Sequence, residues 1–140
     1  MIPNYKGEKI NYDNPQSKMM LGMDNTSFTA MNSQTIPYMC LNKDKQKKIT
    51  TWMNQADRKT YVYGYIDMLN LDLREDIAKI SIPVIILAAT IPDQATVQKT
   101  YAAQYEKLPS VSIFYAQNSA HFVMYDQPKW FLDKLKQTIK

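Results

Sequence analysis

The sequence is poor in the residue types that build metal clusters, disulfide frameworks and phosphate-binding loops. Its 140 residues include one histidine, one cysteine and three glycines. A single histidine and a single cysteine exclude a His/Cys zinc cluster and an internal disulfide. Three widely separated glycines exclude the Gly-rich loops that cradle phosphate, because those loops need closely spaced glycines. We therefore expect no metal and no organic cofactor.

Long hydrophobic stretches and charge of one sign are also missing. No apolar run approaches the ~20 residues of a membrane-spanning helix, and the first residues lack the basic and then apolar stretches of a signal peptide. The net charge of +4, from 17 Lys and Arg against 13 Asp and Glu, is spread evenly along the chain. The one lysine cluster, residues 43–48, is typical of a solvated helix face. The sequence predicts no membrane partner and no nucleic-acid partner, and a cytoplasmic location if Met1 is the true start.

What the sequence does contain is apolar periodicity, which is helical up to about Leu73. Asn14 followed by Pro15 is typical of the N-cap and first residue of a short helix. Apolar residues then recur three and four positions apart over residues 49–56 and 61–69, which predicts two amphipathic helices. Their apolar faces are rich in Met and Tyr, which suit either ordinary core packing or the lining of a pocket or partner surface.

Beyond that point the pattern changes to that of buried strands. Residues 82–89 (IPVIILAA) form a short, continuous, β-branched run, typical of a parallel strand buried on both faces. A helix is predicted over residues 92–108, beginning at the proline, and a second strand over residues 111–115. Pro128 precedes a last helix with one apolar stripe. The order is strand, helix, strand, helix.

These patterns predict an α/β protein in two parts. Residues 1–73 form a helical region, and residues 74–140 form a C-terminal core segment with parallel strands. Parallel neighbours present their carboxyl ends side by side, where ligands and catalytic groups gather. Because Asp93 follows the first strand and His121 the second, we expect both at that end, where an aspartate can orient a histidine general base. The alternatives are an aspartate that only caps the next helix and a histidine without a catalytic role.

Three segments resemble the C-terminal part of the α/β-hydrolases. They are residues 71–80 (LDLREDIAKI), 82–87 (IPVIIL) and 119–128 (SAHFVMYDQP). In that family, a linker of the first kind leads from a helical cap into the penultimate core strand. The catalytic acid follows that strand, and a segment like the third carries the catalytic histidine. The resemblance implies that His121 is the general base, that Asp93 is the catalytic acid and that the helical region corresponds to the cap.

The chain departs from the family pattern where the nucleophile belongs. None of the seven serines stands in a G-x-S-x-G elbow. Ala120 replaces the glycine that often precedes the histidine, and the acid's strand is not followed by Gly and then Asp. Cys40 lies in the helical region, where the family places no nucleophile, and we expect it to be a buried or incidental thiol.

The resemblance therefore implies a chain with two members of a Ser-His-Asp triad and without the serine or the oxyanion-hole loops. We expect the C-terminal part of an enzyme for carboxylic esters or related acyl compounds, inactive by itself. Its partners would be the missing N-terminal half of the same enzyme, or further copies of this chain, and a small apolar acyl substrate. The alternative is a non-catalytic oligomerising or binding module with hydrolase-like architecture.

Overall fold

The computed structural model describes residues 8–139 and has a helix-rich α/β architecture. The helical region contains α1 (Pro15–Gly22), α2 (Asn25–Met39), α3 (Lys43–Gln55) and α4 (Arg58–Asn70). The C-terminal core segment contains α5 (Arg74–Ile77), β1 (Val84–Ala88), α6 (Gln94–Gln104), β2 (Val111–Tyr115), α7 (Val123–Asp126) and α8 (Pro128–Thr138). Residues 1–7 and 140 of the two predicted parts lie outside the described residues.

Polar caps set the starts of the first four helices. In each case, a side-chain oxygen accepts a hydrogen bond from the backbone N–H three residues later; the capping residues are Asn14, Asp24, Asn42 and Asp57. Such caps satisfy N–H groups that have no partner inside the helix. The predicted start of α1, with Pro15 directly after its N-cap, is confirmed, as is the start of α8 at Pro128.

The apolar periodicity of the sequence does not predict helix α2. Its buried residues are Phe28, Asn32 and Ile36, spaced by four, and the middle one is polar. Asn32 is fully buried, and its amide donates to Asn54 Oδ1 at 3.0 Å. A hydrogen bond between α2 and α3 thus replaces the apolar contact that usually reveals a buried helix face in a sequence. Pro37, a residue that disfavours helix interiors, lies in the last turn of α2.

The two strands pair in parallel, and one helix contacts each face of the sheet. Strand β1 is less buried than the sequence predicts, since Ile85 is 42% exposed. Ala88 pairs with Tyr115 at the carboxyl end of the ladder. Successive strand residues point to opposite faces. Tyr115 meets Tyr101 of α6 with ring centroids 6.4 Å apart, whereas the Lys134 ammonium of α8 lies 4.4 Å from the Phe114 ring centroid. The predicted parallel arrangement of the strands is confirmed.

The bounds of α6 and β1 differ from the sequence prediction. Helix α6 begins after its N-cap Asp93 rather than at Pro92, because the aspartate accepts the Thr96 N–H. It ends at Gln104, so Leu108 is buried beyond the helix rather than within it. Strand β1 spans five residues, fewer than the predicted run of residues 82–89.

A shared apolar cluster joins the helical region to the segment that follows β2. Its buried members are Ile36, Cys40 and Ile49, from α2, the α2–α3 connection and α3. Phe122 and Tyr125, which stack with ring centroids 5.9 Å apart, pack against it from the C-terminal core segment. The two parts of the chain therefore share one core at this point.

We expect Ile36→Ala to destabilise the protein by about 2–5 kcal/mol, because it removes buried methyl groups and leaves a cavity in the shared cluster. Ile36 is 2% exposed. Urea unfolding followed by circular dichroism measures the change. The matched control is Met19→Ala on α1, where the side chain is 55% exposed, with an expected change within about 0.5 kcal/mol. Equal effects of the two variants would contradict the assignment of this core.

Candidate functional site

Hydrogen bonds join the two loops that follow β1 and β2. Thr90 N–H donates to the Ser119 carbonyl at 3.0 Å, and the Thr90 hydroxyl donates to the Ala116 carbonyl at 2.8 Å. Thr90 and Ser119 are both buried. Because the strands are parallel, the loops leave the same end of the sheet. Asp93 and His121 therefore both belong to loops at the carboxyl end of the sheet.

His121 is exposed, and its ring contacts Phe122. The two rings meet edge-on, with centroids 5.4 Å apart and an interplanar angle of 88°. In the part of the chain that the structure describes, no group forms a hydrogen bond with the imidazole. Both ring nitrogens therefore keep their hydrogen-bonding capacity on an exposed residue, as a general base requires.

A cavity of about 1230 Å³ lies between the helical region and the C-terminal core segment, with His121 in its wall. The side chains that α1 to α4 contribute are mainly methionine and aromatic; they include Met20, Met31, Met39, Met53, Met68, Tyr38, Trp52, Tyr61 and Tyr65. Gln104 and Tyr105, at the end of α6, line it from the other part of the chain. Met side chains adapt to irregular shapes. The cavity therefore suits an apolar, flexible ligand.

One ion pair lies in the wall of this cavity. Arg74 Nε donates to Asp72 Oδ1 at 2.8 Å, and both residues line the cavity. The hydrogen bond from Arg74 lowers the pKa of Asp72 to about 2. Burial raises the pKa of Tyr61, so this phenol stays neutral at physiological pH. The opposite charges of Arg74 and Asp72 offset each other, and the rest of the cavity wall is predominantly apolar.

Asp93 acts as the N-cap of α6. Its Oδ1 accepts the Thr96 N–H at 2.9 Å, and this hydrogen bond lowers the pKa of the carboxyl group. Asp93 is exposed and is not among the residues that line the cavity. Within residues 8–139 no hydrogen bond joins it to His121. The structure thus gives Asp93 the role of a helix cap, in a loop that leaves the same end of the sheet as the loop of His121.

Asp126 is the residue of this site that the sequence reasoning overlooked. Its Oδ1 accepts the N–H groups of Leu41 and Asn42, at 2.8 and 3.0 Å, and its Oδ2 accepts the Ala120 N–H at 2.8 Å. The segment that resembles the hydrolase histidine motif includes Asp126, five residues after His121. That position is the only signal for it in the sequence, since its partners in the helical region are more than eighty positions away.

Cys40 is a buried thiol, as expected. It has no exposed surface, and its Sγ lies 3.3 Å from Asp126 Oδ1. Burial raises the pKa of the thiol, and the hydrogen bond to Asp126 raises it further. A cysteine nucleophile needs a lowered pKa and access to substrate. Cys40 has neither.

Two classes of feature are absent from residues 8–139. No group of three or more His, Cys, Asp or Glu side chains is arranged to hold a metal ion. No helix in this range is both long enough and apolar enough to span a bilayer.

Comparisons with known proteins identify no relative of this chain. No protein-family model, curated protein sequence or solved structure matches it. The resemblance to α/β-hydrolases therefore depends on the residues quoted above. The function must be argued from the site itself.

We expect Asp93→Asn to alter the acid sensitivity of the protein. At neutral pH both side chains cap a helix N-terminus well, so the two proteins should melt at similar temperatures. The folded-state pKa of Asp93 is lowered, so the stabilisation by its carboxylate is present above the unfolded pKa of about 3.9 and lost as pH falls through the folded value. Below about pH 4 the variant should therefore gain stability relative to the wild type.

Thermal melts between pH 7 and pH 3 measure this difference. The control is Glu106→Gln, which neutralises an exposed carboxylate that has no hydrogen bond in the described part of the chain. A constant difference in melting temperature between Asp93→Asn and the wild type across this range would contradict the capping role.

Proposed function

We propose that this chain supplies the cap and the C-terminal core of an α/β-hydrolase that acts on carboxylic esters or related acyl compounds. The observation that carries the proposal is His121, exposed in the loop after β2 and lining a large apolar cavity. The combination of an accessible imidazole and an apolar ligand space is what acyl transfer needs beside a nucleophile. The serine and the oxyanion-hole loops would come from outside these 140 residues.

In the complete site, His121 acts as general base and then as general acid. It accepts the proton of the serine hydroxyl while the serine oxygen bonds to the acyl carbon. It then donates that proton to the leaving alkoxide as the ester bond breaks. Water repeats the same two steps to release the acid. Because the two ring nitrogens of His121 have no partner among the described residues, one is available to the serine and the other to an orienting acid.

Asp93 remains the candidate for that acid. A carboxylate has two oxygens that together accept several hydrogen bonds. The Asp93 carboxylate is exposed and uses one oxygen to accept the Thr96 N–H. It therefore keeps acceptor capacity for an imidazole N–H while it caps α6.

The cavity would hold the acyl group of the substrate. Its volume of about 1230 Å³ is above the ~300–1,000 Å³ of typical small-molecule pockets. Methionine and aromatic side chains from α1 to α4 make this part of the wall predominantly apolar, and His121 also lines the cavity. The reacting carbonyl would lie near His121, with the apolar chain directed toward the helical region.

This proposal predicts that the coding sequence upstream of Met1 continues in frame and encodes a G-x-S-x-G elbow. The 140-residue chain alone should not hydrolyse p-nitrophenyl esters with saturation kinetics, because removal of even one oxyanion donor costs ~10²–10³ in rate. The extended protein should hydrolyse them, and His121→Ala should lower its kcat by about 10⁴-fold or more.

The matched control for His121→Ala is Met124→Ala, since Met124 is exposed in the same segment and does not line the cavity. Its kcat should stay within about twofold of the wild type. Saturable turnover by the 140-residue chain that leaves a covalent acyl adduct on one of its residues, detected by mass spectrometry, would refute the proposal. So would an extended protein that is equally active without His121.

The second candidate function is a non-catalytic oligomerising or binding module. The observation that favours it is the exposure of large apolar side chains in the C-terminal core segment. Ile82 is 68% exposed, Ile85 on β1 is 42% exposed, and Leu132 on α8 is 53% exposed. Two-stranded sheets are marginal in water without further packing. Copies of this chain that associate through these residues would remove this apolar surface from water.

We therefore expect light scattering to give a dimer or a larger oligomer at micromolar concentration. Ile85→Lys should shift the protein toward the monomer, because a charge on an edge strand opposes further pairing. Met19→Lys, at an exposed position on α1, is the matched control and should leave the mass unchanged. A well-folded wild-type monomer would contradict the oligomer.

A further inference from the structure

The Asp126 carboxylate lies where the helical region meets the loop that carries His121. Its Oδ1 accepts the N–H groups of Leu41 and Asn42 and the Cys40 thiol, at 2.8, 3.0 and 3.3 Å. Its Oδ2 accepts the Ala120 N–H at 2.8 Å. One side chain thus bonds to the α2–α3 connection through one oxygen and to the β2–α7 loop through the other.

The backbone is held on both sides of His121. Ala120, directly before it, donates to Asp126, and Phe122, directly after it, donates its N–H to the Met39 carbonyl at 3.0 Å. Both acceptors are fixed by the helical region: Met39 is the last residue of α2, and Asp126 is bonded to the connection that follows. The position of the imidazole relative to the cavity therefore depends on these two attachments.

The four contacts require that both side-chain oxygens of Asp126 act as hydrogen-bond acceptors. Every partner of Asp126 is a donor: three backbone N–H groups and one thiol. A carboxylate only accepts, whereas an amide of the same shape has an acceptor at one end and two N–H donors at the other. With asparagine at this position, either the Ala120 N–H or the donors of residues 40–42 would face another donor. Hydrogen bonds to a charged acceptor are also stronger than neutral ones.

We propose that Asp126 is a positioning residue that fixes the His121 loop against the helical region and so holds the imidazole in the wall of the cavity. Its relevance to catalysis rests on the proposed function of His121 as general base. Asp126 acts through the Ala120 backbone and does not contact the substrate. The same carboxylate connects the helices that line the cavity with the residue that performs the chemistry.

Because His121 is the only histidine in the chain, its ring signals in nuclear magnetic resonance spectra are unambiguous reporters. In Asp126→Asn, we expect these signals to move toward those of free histidine, as the ring loses its fixed placement edge-on to Phe122. We also expect the Ala120 amide to exchange with solvent about 10-fold faster or more, since it loses a charged acceptor. Neither measurement requires substrate or turnover.

The matched control is Asp57→Asn, at the N-cap of α4. It also replaces a carboxylate that accepts a backbone N–H, that of Thr60 at 2.8 Å, but it does not touch the loop of His121. Its His121 signals and Ala120 exchange should equal those of the wild type. Because asparagine also caps a helix N-terminus well, this variant controls for the loss of a carboxylate elsewhere in the chain. General destabilisation would speed the exchange of amides throughout the protein, so a change confined to His121 and Ala120 identifies positioning.

An Asp126→Asn protein that folds and keeps both wild-type readouts would overturn the proposal. Where that variant does not fold, Asp126→Glu provides the test: its carboxylate remains an acceptor but sits one methylene further out, so the His121 signals should shift, and unchanged signals would overturn the proposal. Failure of the proposed function would appear instead in the ester assay of the extended protein. The two failures are therefore distinguishable.

Discussion

The hydrogen bonds of the Asp126 carboxylate, together with the apolar cluster beside them, determine how the two parts of the chain meet. Polar bonding and apolar packing coincide here, because the buried Cys40 belongs to the cluster and also donates to Asp126. The cavity exists because the helical region is held at this distance and orientation. His121 lies in the cavity wall because the same attachments hold its loop. The candidate site thus forms where the helical region meets the C-terminal core segment, and neither part contains it alone.

The sequence predicts those elements whose causes are local. The β-branched run of β1, the start of α1 at Asn14 and the start of α8 at Pro128 follow from propensity and capping, which act within a few residues. The parallel pairing was also predictable, since the helix between the two strands supplies the crossover connection that parallel strands need. The same local logic fails for α2, whose buried stripe contains Asn32. The reason is that the partner of Asn32, Asn54, lies on another helix.

The candidate site was predictable only in part. His121 and Asp93 could be assigned to one end of the sheet because parallel strands require it. The structure gives Asp93 the capping role, one of the alternatives that the sequence left open, and within residues 8–139 no hydrogen bond joins it to His121. The role of Asp126 depends on donors at residues 40–42, which folding brings together over a separation of 86 positions for Cys40. No pattern of spacing along the chain encodes such a contact.

The placement of α6 and α8 on opposite faces of the sheet constrains how this sheet can be extended. Within the described residues the sheet has two strands, and both faces have a helix against them. In the ladder, Val84 bonds to Ser110 and Ala88 to Ala116, so alternation directs the N–H and C=O groups of Ile85 and Leu87 away from β2. A further strand can therefore add laterally along the outer edge of β1 while both helices keep their places.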